Sequence, residues 1–254
     1  MFDQSPRFRE IFFEVYEALP RQGPGNRASA ARALALCDGM PIVPRILDLG
    51  CGVGGQTMHL VALTDGHIVA VDSHAPFITQ LTASVAANGL GHRIKPLCAD
   101  MAHARFPSGS FDLIWSEGAL YNLGLDVALP LCRDLLRPGG HLVFTDAVWR
   151  KSDVPDEVRR GFESDYPTMG WMRDVLAAVA RHNLDVLGHF TLPDEAWWED
   201  FYTPMQARVR ELREKYSGDA EAQGILDILD RETELHAAHA DCYAYEFFVI
   251  RRPV

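Results

Sequence analysis

The sequence has few lysines, no closely spaced cysteine pair and no long apolar run. Only three lysines occur in 254 residues, and the net charge is −11. Affinity for a nucleic-acid backbone comes from clustered basic residues, so this composition disfavours a nucleic-acid partner. The five cysteines form no C-x-x-C pair, which favours reduced thiols over a disulfide framework or a zinc site.

The chain also lacks targeting and membrane-spanning features. No uninterrupted apolar run is long enough to cross a bilayer. The N-terminal residues alternate charged and aromatic side chains and contain no secretory signal. We therefore expect a cytoplasmic protein with no membrane partner. The length fits one domain over residues 1–254, and the sequence leaves a homodimer open.

From residue 28 onwards, helical periodicity alternates with short β-rich runs, which predicts a parallel sheet with crossover helices. Strands are expected at residues 45–49, 67–72, 93–98, 111–115, 141–146, 185–191 and 243–250. Helices are expected at residues 6–19, 28–37, 55–64, 75–88, 125–136 and 170–182.

A glycine-rich loop, ILDLGCGVGGQT at 46–57, follows the first predicted strand. Gly50, Gly52 and Gly55 spell G-x-G-x-x-G, the dinucleotide fingerprint. Asp48 ends the strand, and at about 4 Å and an effective dielectric near 20 it would repel a pyrophosphate by roughly 4 kcal/mol. The same carboxylate would attract an ammonium or a sulfonium, although it can also simply cap the loop.

Acidic residues end the next two predicted strands. Asp72 can accept hydrogen bonds from both hydroxyls of a ribose, which suits NAD and S-adenosylmethionine alike. Asp100 can accept from an adenine amino group while Met101 offers its backbone N–H and an apolar face. A helix-capping role for Asp100 is an equal alternative. Gly139 and Gly140 are expected in a turn, where positive φ is needed.

The motifs D-L-G-C-G-x-G-G, V-D, A-D-M, F-D-L-I-W-S and L-R-P-G-G-x-L-V-F resemble, in order and spacing, the series of class I S-adenosylmethionine-dependent methyltransferases. The likeness covers about residues 44 to 191 and resumes at the last strand. It implies an α/β, Rossmann-like fold with a seven-stranded, mostly parallel sheet of order 3-2-1-4-5-7-6. The last strand would be antiparallel, helices would cover both faces, and a helical insertion would precede the last strand.

The same resemblance implies that S-adenosyl-L-methionine is the cofactor. The residues expected to bind it are Asp48, Gly50, Cys51, Gly52, Gly54, Gly55, Gln56, Thr57, Asp72, Ser73, Asp100, Met101, Ser116, Glu117 and Tyr121. Residues 1–40 would form N-terminal helices that cover the cofactor, hinged at the Gly-Pro-Gly of 23–25. Residues 193–240 would be the insertion, either a decoration or a cap.

Residues 115–122, WSEGALYN, should face the transferable methyl group. They lack the N-P-P-Y type of tetrapeptide and resemble a bacterial small-molecule subgroup, so a small organic acceptor is expected. Methyl transfer needs alignment and exclusion of water more than a base. The candidate catalytic residues are Glu117, Tyr121 and His189. For Glu117 and Tyr121, positioning of cofactor and substrate is favoured over proton abstraction. His189 could act as a base, although a histidine in a strand more often has a structural role.

Further side chains have two interpretations each. Tyr166, Trp197, Trp198 and Tyr202 are expected either to line an acceptor pocket or to serve as packing. No metal is expected, because the run LHAAHADC at 235–242 lacks a matching ligand pair and is more typical of a solvated helix end.

Two other functions remain open at this point. An NAD-dependent oxidoreductase would rest on the literal glycine spacing and Asp72 alone. A non-catalytic S-adenosylmethionine-binding protein would share every cofactor motif, because methyltransferases of this class often need no catalytic side chain.

Overall fold

A seven-stranded sheet forms the centre of the computed structural model, which describes residues 5–254. The strand order is β3-β2-β1-β4-β5-β7-β6. The strands are β1 Arg45–Leu49, β2 His67–Asp72, β3 Ile94–Cys98, β4 Phe111–Glu117, β5 Leu136–Trp149, β6 Asp185–Thr191 and β7 Tyr243–Arg251. Strands β1 to β5 pair in parallel, and β7 is antiparallel to both of its neighbours. The predicted fold class, strand order and antiparallel last strand are confirmed.

Ten α-helices surround the sheet in residues 5–254. They are α1 Pro6–Tyr16, α2 Arg27–Leu34, α3 Gly55–Leu63, α4 Ala75–Ala87, α5 Leu125–Leu135, α6 Asp156–Asp165, α7 Met172–Arg181, α8 Glu195–Trp197, α9 Thr203–Lys215 and α10 Ala220–His239. A 3₁₀ turn at Leu120–Asn122 and a π-helical turn at Trp198–Tyr202 complete the helical structure. Residues 1–4 of the predicted N-terminal segment lie outside the described residues.

Both faces of the sheet are covered, as the alternation of side chains along each strand requires. Trp115 and Phe247 lie on one face, with ring centroids 6.0 Å apart, in a core shared with α1 to α4, α9 and α10. Phe144 and Phe248 stack at 5.2 Å on the other face, against α5 and α7. We call the first of these the cavity face, because the site described below opens on it.

The fifth strand is longer than predicted. It runs from residue 136 to 149, so that Gly139 and Gly140 lie within it and not in a turn that precedes it. The end of β7 holds this segment: Gly139 N–H donates to Arg252 O, and Arg252 N–H donates to Gly140 O. Gly139 has a φ of +76°, so the positive φ expected there is present although the turn is not.

Helix α6 was not predicted from the sequence. Its segment, DEVRRGFESD, buries only Val158 and contains Gly161, which lowers helix propensity. The helix forms because acidic residues occupy its first turn, where they favour the helix dipole, and because Phe162 packs edge-on against Trp149 at 5.5 Å. It brings Tyr166 to the carboxyl end of β5.

The first helix ends at Tyr16, three residues earlier than predicted. It lies against α9 and α10, held by Glu14, which accepts hydrogen bonds from Lys215 at 2.6 Å and Tyr216 at 2.7 Å. None of the helices in residues 5–254 has the length and apolar character needed to cross a bilayer. All five cysteines are free.

Candidate active site

A cavity of about 1430 Å³ opens at the carboxyl ends of the parallel strands. This volume exceeds the roughly 300–1,000 Å³ typical of a pocket for one small ligand. The wall has two parts. The loop region consists of Gly50, Cys51, Gly52, Gln56, Asp72, Ser73, Asp100, Met101 and Glu117, and the aromatic chamber consists of Tyr16, Tyr121, Tyr166, Trp197, Tyr202, Tyr245 and Glu232.

The glycine loop is fastened to the second strand by backbone hydrogen bonds. Gly50 N–H and Cys51 N–H both donate to Val71 O, at 2.8 and 3.0 Å. Gly52 N–H donates to Asp72 Oδ2 at 2.9 Å, and His74 N–H donates to Asp72 Oδ1 at 2.9 Å. These bonds fix the Asp72 carboxylate at the edge of the cavity, where its half-buried oxygens keep lone pairs for a ligand.

Asp48 lies beneath the glycine loop and does not line the cavity. Its side chain is fully buried and accepts hydrogen bonds from the Thr57 hydroxyl and, at 3.3 Å, from Gln56. Burial raises the pKa of Asp48 to about 7, so its charge at neutral pH is partial. The Asp48 carboxylate does not reach the cavity directly, and the loop-capping alternative describes its contacts.

Four more of the predicted cofactor-binding residues do not line the cavity: Gly54, Gly55, Thr57 and Ser116. Thr57 is buried with Asp48, and the Ser116 hydroxyl donates to Leu49 O at 2.8 Å. Gly54 and Gly55 carry no side chain and lie where α3 begins. The Thr57 and Ser116 side chains point inward, which motif spacing alone does not reveal.

Glu117 forms a buried ion pair with Arg21. Arg21 Nη2 lies 2.7 Å from Glu117 Oε2, and both side chains are at most 4% exposed. Trp115 Nε1–H donates to the other oxygen, Oε1, at 2.7 Å. Since both oxygens already have donors, the contacts favour a positioning role for Glu117 over proton abstraction. Arg21, which the sequence analysis missed, comes from the loop after α1.

Gln22 fastens the end of α1 to the glycine loop. Its Nε2 donates to Tyr16 O and Leu19 O, at 3.1 and 3.2 Å, and its Oε1 accepts from Val53 N–H at 2.9 Å. A Cβ on Gly52 would lie 2.2 Å from Gln22 Oε1. A side chain at Gly52 would therefore displace the Gln22 amide from its bond to Val53 N–H.

We expect Gly52→Ala to loosen the N-terminal segment. The alanine would meet Gln22 at a left-handed φ of +55°. Gly89→Ala is the matched control, since Gly89 has a φ of +66° and open space around it, so both changes share a backbone cost of about 1–2 kcal/mol. Hydrogen exchange should accelerate over residues 17–25 in Gly52→Ala only. Equal exchange in the two variants would contradict the role assigned to Gln22.

Asp100 and Met101 line the cavity where β3 ends. Asp100 Oδ1 accepts from Ala102 N–H at 2.8 Å, and Oδ2 lies 3.1 Å from His103 Nδ1. The hydrogen bond from Ala102 N–H, and to a smaller extent the one with His103, lowers the pKa of the Asp100 carboxyl. Asp100 thus caps the next turn while its exposed carboxylate also faces the cavity, so the two alternatives for this residue are compatible.

Tyr121 lines the aromatic chamber. Its ring lies 5.0 Å from that of Tyr166, whose hydroxyl donates to the buried Asp146 at 3.0 Å. Burial raises the pKa of the Tyr121 hydroxyl to about 12, and the negative charges of Asp165 and Glu232 add to the effect. A hydroxyl so reluctant to ionise is a poor base at neutral pH, which favours positioning for Tyr121.

Asp146 should make stability depend on pH. Burial raises its pKa to about 7, whereas an unfolded aspartate has a pKa of about 3.9. Between these values the folded state holds a proton that the unfolded state has released, so the free energy of unfolding falls as pH rises from about 4 to about 7. Asp146→Asn should remove part of that fall, a few kcal/mol at about 1.36 kcal/mol per pKa unit.

Urea denaturation of the wild type and of Asp146→Asn at several pH values in this range measures how the free energy of unfolding changes with pH in each protein. Buried Asp48 titrates in the same window in both proteins and cancels in the comparison. An unchanged pH dependence would show that Asp146 is ionised in the folded protein.

His189 does not lie at the cavity. Its Nδ1 is 2.7 Å from Glu246 Oε1, and its ring shares the face of Phe248, opposite the cavity face. It is absent from the residues that line the cavity. Because side chains alternate along β6, this position points to the other face. The structural alternative given for a strand histidine therefore describes its contacts.

The histidines near the end of α10 form no metal site. Residues 5–254 contain no group of three or more His, Cys, Asp or Glu side chains placed to hold a metal ion. His236 is buried, not solvated as expected: its Nδ1 is 2.8 Å from the Tyr243 hydroxyl, and its Nε2 is 3.0 Å from Asp194. It stacks on Trp197 at 4.3 Å and anchors α10 to α8 and β7.

Comparison with known families identifies the segment that carries the loop region. Residues 46–140 match a family model described as a methyltransferase domain. The match begins in β1 and ends within β5, so it includes the glycine loop, Asp72, Asp100 and Glu117.

Curated relatives extend the likeness beyond that segment. The sterol 24-C-methyltransferase erg6 of Aspergillus fumigatus is 29% identical over 207 residues, which cover 78% of this chain and 52% of that protein. The chain thus spans about half the length of the curated relatives it matches.

Solved structures share the fold over almost the whole chain. A methyltransferase from Thiobacillus denitrificans, in complex with S-adenosyl-L-homocysteine, has a TM-score of 0.80 at 20% identity and covers 94% of this chain and 97% of its own. The [4+2]-cyclase SpnF has a TM-score of 0.74 at 16% identity, covering 98% of this chain and 93% of its own. At these identities the likeness shows the fold, and the fold supports more than one chemistry.

Proposed function

We infer that this chain belongs to the class I S-adenosylmethionine-dependent methyltransferases and transfers a methyl group to a small organic acceptor. One observation carries the proposal. A single cavity joins the loop region, at the carboxyl ends of β1 to β4, to the aromatic chamber. That volume suits two ligands side by side, one in each part. The methyltransferase domain match and the structural neighbour in complex with S-adenosyl-L-homocysteine support the identity of the first ligand.

The loop region fits S-adenosylmethionine. Gly50 and Gly52 present backbone atoms and no side chain to the cavity, and Asp72 offers carboxylate oxygens suited to the two ribose hydroxyls. Asp100 and Met101 stand at the adenine end. Arg21 Nη1 is buried beside the loop without a hydrogen-bond partner in residues 5–254, and its donor suits the carboxylate of the amino-acid part.

The chain's own residues align the reactants and exclude water. When bound, the sulfonium supplies a methyl group already activated for in-line displacement. The Arg21–Glu117 pair holds the turn after β4 at a fixed distance from the N-terminal segment. Tyr121 provides a flat surface between the two parts of the cavity, so that an acceptor in the chamber faces the donor. Such alignment can supply most of the acceleration in a displacement reaction.

The N-terminal segment covers the cofactor, and the insertion at 193–240 caps the acceptor. His74, next to Asp72, lies 2.7 Å from Glu17 and stacks on Phe13 at 3.9 Å. Gly25 N–H donates to Ala196 O at 3.0 Å, so the two covering segments are tied together. Gly25, with a φ of +154°, lies in the predicted hinge. The five free cysteines fit the reducing cytoplasm expected from the sequence.

Incubation of the protein with methyl-labelled S-adenosylmethionine and a metabolite extract tests the proposal. A labelled small-molecule product, lost when the Asp72→Ala variant replaces the wild type, is expected. Cofactor binding without any labelled product would favour the non-catalytic alternative. Stabilisation by NADH in place of S-adenosylhomocysteine would favour the oxidoreductase.

A further inference from the structure

The aromatic chamber has a continuous wall of rings. The ring centroid of Trp197 lies 5.0 Å from that of Tyr245 and 5.6 Å from that of Tyr202. Tyr16 extends the wall through Phe201, at 6.1 Å. Faces of aromatic rings attract cations as well as apolar groups. The wall by itself therefore admits either an uncharged apolar acceptor or a positively charged one.

Glu232 decides between these two kinds of acceptor. Its side chain lines the cavity and is solvent-accessible. The Tyr202 hydroxyl donates to Oε1 at 3.0 Å, and Oε2 has no hydrogen-bond partner in residues 5–254. Oε2 is therefore free to accept a hydrogen bond from a ligand in the chamber, and a bond from a charged donor is the strongest kind.

Within residues 5–254, no arginine of the cavity wall forms an ion pair with Glu232. Nine carboxylate side chains and three arginines line the cavity. Arg21 is paired with Glu117, and Arg231 is paired with Glu157 and Glu234. The third arginine, Arg9, forms no ion pair with Glu232 in the part of the chain that the structure describes. A cavity with so many acids concentrates cations and repels anions. A negatively charged acceptor is therefore disfavoured.

We propose that the acceptor is an amine, bound in its ammonium form by Glu232 and by the rings of Tyr202, Trp197 and Tyr245. This inference rests on the proposed methyltransferase function and names the acceptor class. The ammonium would complete the bonding of Glu232 Oε2 while its carbon skeleton lies against the aromatic wall. Cation–π contacts in such sites contribute about 0.5–2 kcal/mol each.

The transfer balances in protons and electrons. The ammonium first gives one proton to the Glu232 carboxylate, which leaves a neutral nitrogen with a lone pair. That lone pair forms the new N–C bond, and the electrons of the breaking S–C bond return to sulfur. The positive charge passes from sulfonium to the methylated nitrogen, and Glu232 later releases its proton to solvent.

Amine binding should depend on the ionisation of Glu232. Burial raises the pKa of Glu232 to about 7, and nearby Asp165 raises it further, against the hydrogen bond from Tyr202. The hydroxyls of Tyr16, Tyr243 and Tyr245 also face this charge. Burial, and to a smaller extent the charge of Glu232, raises the pKa values of these hydroxyls above the usual range. Binding of a permanent cation should therefore strengthen as pH rises through about 7.

A thermal-shift experiment with full-length protein and saturating S-adenosylhomocysteine tests the inference. The probes are benzylamine, benzyltrimethylammonium, benzyl alcohol and benzoate, which share one ring and differ in charge. The two cations should stabilise wild type at concentrations roughly ten- to hundredfold lower than the alcohol, as expected for a charge-assisted contact. Glu232→Gln, which keeps a partner for Tyr202, should abolish that preference, and Glu221→Gln at an exposed position in the first turn of α10 should preserve it.

The outcomes separate this inference from the function on which it rests. Stabilisation by S-adenosylhomocysteine with equal responses to alcohol and cations would overturn the amine acceptor alone. A cation preference that persists in Glu232→Gln would also overturn it. No stabilisation by S-adenosylhomocysteine in the wild type would overturn the proposed function and this inference together.

Discussion

Asp72→Ala is expected to weaken S-adenosylhomocysteine binding by at least about a hundredfold. A hydrogen bond from a ribose hydroxyl to a charged acceptor contributes about 1.5–3 kcal/mol, and two are lost together. The carboxylate also accepts from Gly52 N–H and His74 N–H, so its removal frees the glycine loop as well. Isothermal titration calorimetry measures the change directly.

Two further variants make the measurement specific for the Asp72 carboxylate. Asp65→Ala removes an exposed carboxylate in the loop before β2 and should leave the affinity unchanged. Asp72→Asn keeps one acceptor oxygen and should lose less affinity than Asp72→Ala. Wild-type affinity in Asp72→Ala would show that the ribose lies elsewhere.

Arg21→Met is expected to lower the free energy of unfolding by about 3–5 kcal/mol, as removal of one partner of a buried ion pair does. The change leaves Glu117 buried with only the Trp115 donor, because both side chains of the pair are at most 4% exposed. The double variant Arg21→Met, Glu117→Gln should recover part of the loss, since no uncompensated charge remains. Urea denaturation of the three proteins gives these values.

An exposed ion pair is the control for the Arg21 variant. Arg181 and Asp126 lie 2.9 Å apart with side chains 57% and 72% exposed, so Arg181→Met should cost less than about 1 kcal/mol. A similarly small loss in Arg21→Met, with no recovery in the double variant, would mean that the Arg21–Glu117 pair is not formed in solution.

The sheet could be predicted because its signals are local. Short apolar runs, the glycine loop and acidic strand ends recur at regular spacing from β1 to β5, and each follows from backbone geometry. Helix α6 escaped because its polar sequence buries one residue, and its stability depends on packing against β5. Packing between segments that are distant in the chain does not appear as a periodic pattern in the sequence.

The site was predicted only in part, since spacing does not tell which side of a loop a residue faces. Asp72, Asp100 and Glu117 lie in the cavity wall as expected, whereas Asp48 supports the loop from below. Arg21 was missed although a charged residue between Pro20 and the Gly-Pro-Gly segment is a visible signal. No sequence signal marks Glu232, because it is one of several acidic residues on α10 and only the fold brings it to the cavity.

The claim that the loop region holds a sulfonium cofactor is tested most directly by calorimetric titration of the wild-type protein with S-adenosylhomocysteine and, separately, with NADH. We expect one molecule of S-adenosylhomocysteine to bind per chain with a micromolar or lower Kd, and NADH to give no binding heat. One-to-one binding of NADH with no binding of S-adenosylhomocysteine would contradict the claim.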